Sequence, residues 1–302
     1  MKLPLSKLTL AKLASLYAGM AYGLYWIPLR ALEEAGLTDV LPSLVFNIIP
    51  MIIILPLIIW RWRFIRRASI HFHITGLIVG LSIIGYTNAF IYTEVVRVLI
   101  LYYLTPIWGF LLARIFIGDL ISPVRWISIL VGVSGMLTIF GVESGLSLPE
   151  NMGDWMALAA GILWAIASLM MLTGKEHPID YALWFFLWNG LAAIILTFVF
   201  YSSFDQSLPD LSSLTSVIRW MIPLALILII PAGFAVIYGP TQLNPGVAGL
   251  FFMVEIGVGT LTASILTDEP LGWREFLGIT MITTATLLEP IFDLYRKRQR
   301  SI

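Results

Sequence analysis

The sequence predicts an all-α membrane protein in which ten transmembrane helices form two inverted five-helix repeats. Three observations lead there: a composition that no water-facing surface tolerates, ten apolar runs of spanning length, and a likeness between the two halves. Of 302 residues, 59% are hydrophobic and 12% are charged, and the mean hydropathy is +0.92. A soluble protein carries roughly 25% charge, because its surface must face water. Here 18 basic and 18 acidic side chains cannot solvate a 33.7 kDa body. The apolar surface must therefore face a lipid bilayer.

A bilayer core about 30 Å thick needs roughly 20 apolar residues per helix. Such runs lie near 10–31, 41–60, 72–93, 97–117 and 123–141, and again near 153–173, 180–201, 216–238, 246–267 and 273–294. The first run is too long for a cleavable signal peptide and lacks an A-x-A-like site. Basic residues favour the cytoplasmic side. With the N-terminus inside, that side receives 14 of them, including Arg61, Arg63, Arg66, Arg67 and the tail from Arg296 to Arg300. Only Arg30, Arg97, Arg219 and Arg274 fall outside, so both termini are expected in the cytoplasm.

The halves, 1–145 and 146–302, resemble one another. AGMAYGLYWIPL at 18–29 matches AGILWAIASLMM at 160–171, which sets Tyr22 opposite Trp164. The same offset sets Asn47 opposite Asn189. Further on, YLTPIWGFLLARIFIGD at 103–119 matches MVEIGVGTLTASILTDE at 253–269, setting Thr105 opposite Glu255 and Asp119 opposite Glu269. Five spans per half is an odd number, so the halves insert with opposite orientation. Inverted repeats with a site at their interface are a transporter architecture.

On these residues the chain resembles the drug/metabolite transporter superfamily, EamA type, over residues 10–294. The likeness is carried by LTPIWGFLLARIFIGD and VEIGVGTLTASILTDEP, where Pro106 and Asp119 fit the first copy and Glu255 and Glu269 the second. Ile256 stands where that family usually has proline. The resemblance implies a secondary transporter of a bacterial inner membrane, more often an exporter, with amino acids or related compounds as leading cargo. It also implies that helices 1, 3, 4, 6, 8 and 9 surround a central cavity.

Glu255 lies near mid-membrane, where a carboxylate is costly and faces a cavity or a partner. Gly259 and Thr262 follow on its helical face. Reached by water from one side at a time, it could carry a proton; alternatively it hydrogen-bonds neighbouring helices together. Arg97 follows Glu94 by one helical turn. It is either that residue's ion-pair partner or an outer-mouth anchor for a substrate carboxylate. Tyr22, Trp26, Tyr103 and Trp164 are the chosen cavity aromatics, from a deep group that also holds Tyr25, Tyr86, Tyr102 and Trp108. Aromatic walls bind rings by stacking and alkylammonium groups by cation–π attraction. Asn88 could face cargo, whereas Asn47 and Asn189 are read as hydrogen-bonding between helices. Pro106 and Pro231 fall within spans and are the expected flex points for gating. GMAYG at 19–23 and GLIVG at 76–80 are read as close-packing elements.

No G-x-x-x-x-G-K-[ST], H-E-x-x-H or G-x-S-x-G motif is present, which argues against an enzyme. Without cysteine there is no thiolate site, and His71, His73 and His177 are too scattered for zinc. No metal or other cofactor is expected. The balanced charge offers no field for nucleic acid. The expected partners are a small-molecule substrate, lipid and protons, with the chain a monomer or homodimer. The alternatives are facilitated or exchange uptake of an alkylammonium or other small nutrient and, in a different class, a channel. A channel calls for rings of like groups along a pore.

Overall fold

The computed structural model describes residues 6–37, 41–93, 95–120, 122–139, 149–200, 211–266 and 271–299, and among these there is no strand. In chain order the helices are α1 (Lys7–Tyr22), α2 (Trp26–Glu34), α3 (Leu41–Arg67), α4 (Ile70–Tyr92), α5 (Val95–Tyr102), α6 (Thr105–Phe116) and α7 (Pro123–Ile139). They continue as α8 (Met152–Thr173), α9 (Pro178–Phe200), α10 (Leu211–Leu224), α11 (Ile230–Tyr238), α12 (Pro245–Phe252), α13 (Val254–Leu266) and α14 (Trp273–Gln299). Polar side chains start several of them by accepting orphan backbone N–H groups. Ser6 accepts from Thr9 at 3.1 Å, Ser69 from Phe72 at 3.2 Å, and Asn151 from Asp154 at 2.9 Å.

Seven helical stretches among the described residues are long and apolar enough to cross a membrane: α3, α4, α5 with α6, α8, α9, α10 with α11, and α12 with α13. This is the pattern of an integral membrane protein. Helix α7 is apolar but has 17 residues. The first expected span, 10–31, is divided into α1 and α2 by a turn at Gly23–Tyr25. Large apolar side chains cover the outside: Trp60, Ile227 and Phe198 are 72%, 75% and 79% exposed. In water such a surface would be costly; against lipid it is the expected coat.

The principal pairings are α4 with α8, α7 with α14, α3 with α9, α6 with α12, α4 with α9, α1 with α11 and α6 with α8. Glycines set several of these distances. A Cβ on Gly76 would strike the Trp184 ring, and one on Gly135 would lie 2.8 Å from the Gly278 carbonyl oxygen. Both close-packing readings therefore find a partner: Gly76 and Gly80 face α9, and Gly19 and Gly23 face the end of α12 and the start of α13.

Three stretches tighten briefly to i→i−3 hydrogen bonding, which interrupts the helix without leaving it. They are Tyr25 to Tyr22 (3.0 Å), Ile107 to Leu104 (2.9 Å) and Ile256 to Met253 (3.1 Å). A fourth stretch widens instead: Ala225–Ile229 is a π-turn, with Ile230 N bonded to the Ala225 carbonyl. Pro231 follows directly; it has no N–H to donate to Ile227, so the ladder there is already broken.

Outside the membrane-spanning segments, Glu176 ties two turns together. It accepts from Ser69 N at 3.1 Å, from the Ser69 hydroxyl, and from the Tyr181 hydroxyl at 3.1 Å. Partial burial opposes its charge, but the Ser69 hydrogen bonds outweigh it and hold the carboxyl at about 2, below an ordinary 4.5. A carboxyl lowered by folding stabilises fully above its ordinary value and loses that contribution as pH falls toward the folded value. Glu176→Gln should therefore lower the Tm in detergent by a few degrees near pH 7, with the gap to the unaltered protein closing toward pH 2. A gap of constant size across that range would refute the assignment.

Candidate functional site

The three tightened turns and the π-turn converge on one central cavity of about 580 Å³. Helix α12 ends at Phe252 and α13 restarts at Val254, so Glu255 falls in the first turn of α13 with its carboxylate turned inward. The sequence gives no proline for this interruption. It lies instead beside two close backbone crossings. A Cβ on Gly19 would lie 2.9 Å from the Phe251 carbonyl oxygen, and one on Gly23 2.7 Å from that of Glu255. Only glycine allows α1 so near.

On the facing side, Tyr103 sits between α5 and α6 and is buried. Its hydroxyl donates to Glu255 Oε2. A carboxylate taken out of water needs such a donor. Around this pair, Tyr86 and Tyr102 contact at 4.3 Å between ring centroids, and Tyr102 meets Tyr103 edge-on at 5.4 Å. Tyr22 stacks on Tyr25 at 4.5 Å, and the Tyr25 hydroxyl points to the Ile229 carbonyl at the π-turn, 3.5 Å away. Trp164 meets Phe252 at 6.4 Å. Trp26 donates through Nε1 to Thr262 Oγ1 at 3.0 Å, two turns along α13 from Glu255.

Five of the residues expected at the site are thus brought together: Tyr22, Trp26, Tyr103, Trp164 and Glu255 all line the cavity. Four are not among its lining residues. Asn88 is buried and turned back on its own helix, Nδ2 donating to the Ile84 carbonyl at 2.9 Å. Pro106 lies in the first turn of α6 against Gly249, and Pro231 lies just past the π-turn. Both stand beside helix interruptions rather than inside a continuous span.

Arg97 is the largest departure. The anchoring reading needs its guanidinium at the cavity, but it is spent on Asp154 in the first turn of α8. Nε lies 3.0 Å from Oδ1 and Nη2 reaches Oδ2. Asp154, fully buried, also accepts from Thr93 Oγ1 at 2.8 Å and Glu150 N at 2.9 Å. The expected local partner, Glu94, lies outside the described residues, as does Glu269. Asp154 went unnoticed because it is 57 residues away in sequence; its one local signal was an acidic group in a first helical turn after an Asn cap.

Asn47 and Asn189 also line the cavity and do not bridge helices as expected. Asn47 Nδ2 donates to Ser43 O at 2.8 Å in its own helix, and the Asn189 amide oxygen has no partner. Tyr25, Tyr86 and Tyr102, present in the deep aromatic group but not chosen, belong to the wall.

The cavity runs toward the end where α2 stops and α3 begins, through Leu29 and Ser43. No described residue of α6 beyond Thr105, or of α12 before Gly249, lines it. There α6 and α12 touch: a Cβ on Gly109 would lie 2.5 Å from Gly246 N. Beyond that contact, Gly118, at φ +67°, turns the chain so that Asp119 accepts from Asn244 at 2.7 Å and from Arg125 at 3.0 Å.

The class defined so far is an all-helical protein with membrane-spanning helices around a carboxylate-bearing aromatic cavity. No family model matches the chain, and no curated protein does. Among solved structures it is similar to one described as "Crystal structure of protein", at a TM-score of 0.72 and 15% identity. The match covers 93% of this chain and 96% of that one. At that identity the likeness concerns the fold alone.

Removing one member of a buried ion pair costs on the order of 3 kcal/mol, because the other charge is left uncompensated. Arg97→Ala should lower the Tm markedly, and adding Asp154→Ala should restore part of the loss. A normal Tm in Arg97→Ala would show that the pair does not hold α5 to α8.

Proposed function

We propose that the chain is a secondary transporter of the drug/metabolite transporter superfamily, EamA type, moving a small organic metabolite across a bacterial inner membrane by proton-coupled alternating access. The observation that carries this reading is Glu255. Among the described residues it is the one charged side chain lining the central cavity, hydrogen-bonded to Tyr103 where two interrupted helical stretches meet. Deprotonated, it can hold a positive group or receive a proton from water in the cavity. Exchange of one occupant for the other is the elementary step of antiport.

Ten spans in two inverted repeats, 1–145 and 146–302, with both termini cytoplasmic, give that step its two-sided access. Two observations support the repeat. Helices α5 and α12 end at Tyr102 and Phe252, positions related by the same offset that aligns the sequence copies. Exchanging the halves also maps the pairings α3–α9 and α7–α14 onto themselves, and turns α4–α8 into α11–α1. In the proposed cycle the α6–α12 contact closes one end while the cavity reaches the other. Pro106 and Pro231, beside the interruptions, are the gating positions. Such a chain encloses its own cavity, whether it is a monomer or a homodimer.

The test is flux of 2-phenylethylamine and phenylalanine in proteoliposomes, with and without an imposed pH gradient, beside empty vesicles. Saturable flux that the gradient accelerates several-fold is expected for at least one of them. Glu255→Gln, folded by its Tm, should lose the response and slow at least tenfold. Transport by that variant at the unaltered rate under the same gradient removes Glu255 from coupling. Flux without counterflow, accompanied by single-channel currents, points to a channel instead.

A further inference from the structure

The chemistry of the cavity wall is one-sided. Among the described residues Glu255 is its only charged one, and no described lysine, arginine or histidine lines it. The remaining wall is apolar or neutral, and about a third of it is aromatic, including Tyr22, Trp26, Tyr102 and Trp164. We propose that the site selects a monovalent organic ammonium ion carrying no carboxylate, with the ammonium against Glu255 and the apolar body on the aromatic wall. As a statement about cargo it rests on the transport reading above.

Each part of that description follows from a group present or spoken for. A carboxylate within an aromatic enclosure attracts a cation twice, by charge and through the negative faces of the rings. An amino acid would bring a second carboxylate into the same 580 Å³, where no positive side chain among the described residues lines the wall to meet it. The one arginine that the sequence offered for it is bound to Asp154 outside the cavity. The Tyr103 hydroxyl is no substitute, because it already donates to Glu255. Burying a charge without a counter-charge is expensive, so the zwitterion is disfavoured against its own decarboxylated form. The same argument limits the cargo to one positive charge, since a diamine would bury a second ammonium with no second carboxylate. A cavity of this volume lies in the range that small organic ligands fill.

The experiment measures binding of four compounds to the purified full-length protein in detergent by titration calorimetry. They are 2-phenylethylamine, phenylalaninamide, phenylalanine and 1,6-diaminohexane. The first two should bind, and phenylalanine and the diamine should each bind at least about tenfold more weakly than 2-phenylethylamine. Glu255→Gln should weaken the amine at least tenfold. Glu255→Asp, which keeps the charge, should preserve the order of the four if the Gln variant does not fold. Phenylalanine binding as tightly as 2-phenylethylamine overturns the proposal, as does failure of all four to bind. The two readings separate in proteoliposomes. Amine binding in the expected order without vectorial flux removes the transport reading and leaves the selectivity. Phenylalanine flux without amine flux does the reverse.

Discussion

The hydroxyl of Tyr103 donates to the carboxylate of Glu255 across the centre of the bundle, and the middle of the molecule is arranged around that bond. Without a donor, a carboxylate at this depth would cost more than the packing of its helix returns. The donor arrives because the helical ladder tightens between α5 and α6, where Tyr103 sits. The acceptor arrives because α12 gives way to α13 beside the glycine crossing of α1. Neither interruption would be tolerated against lipid, where loosened backbone groups find no partner. Both face the cavity, and the tightened turns keep their hydrogen bonds in i→i−3 form.

How much of this was legible in the sequence depends on whether the cause was local. The apolar runs located the helices because burial in lipid writes itself residue by residue along the chain. Glu255 was legible for the same reason, as a carboxylate far from either end of an apolar run. Tyr22, Tyr103 and Trp164 followed from depth, and Tyr22 and Trp164 also from the internal likeness of the halves. The interruption at Met253 was not legible, because it contains no proline; it accompanies crossing glycines on α1, which are far away in the chain. The turn at Gly23–Tyr25 was missed for a related reason, since GMAYGLYW reads as continuous helix until its partner is known. The bond from Arg97 to Asp154 was unreadable because Asp154 lies 57 residues away, across the loop between the halves. Asn47 and Asn189 show the opposite failure. Their matching positions suggested a bridge between helices, yet one amide bonds its own helix and the other lines the cavity with its oxygen unpartnered.

The polar bonds at the two ends of the bundle are unequal, and the difference bears on how the proposed cycle could run. Arg97 and Asp154 form a forked ion pair, backed by Thr93 and Glu150 N, around a carboxylate with no exposure. Arg61 and Asp180 make a second fork, with Nη2 to Oδ2 at 2.8 Å. Opening either would strand a charge largely away from water, which is why such pairs serve better as fixed struts than as latches. The Asp119 bonds differ. Asn244 is neutral, Asp119 is about one-third exposed, and Arg125, six residues away, remains to hold the carboxylate if Asn244 leaves. Separating α12 from α6 at that end therefore strands no charge. What must part is the dry contact of Gly109 and Phe110 with Gly246, a packing loss rather than an ionic one. An alternating-access cycle needs one closure that opens reversibly among others that do not. In the proposed cycle that closure is assigned to the α6–α12 contact, which adjoins the same two interrupted stretches that hold Tyr103 and Glu255. A change at the carboxylate and a change at the seal are thus movements of the same pair of helices.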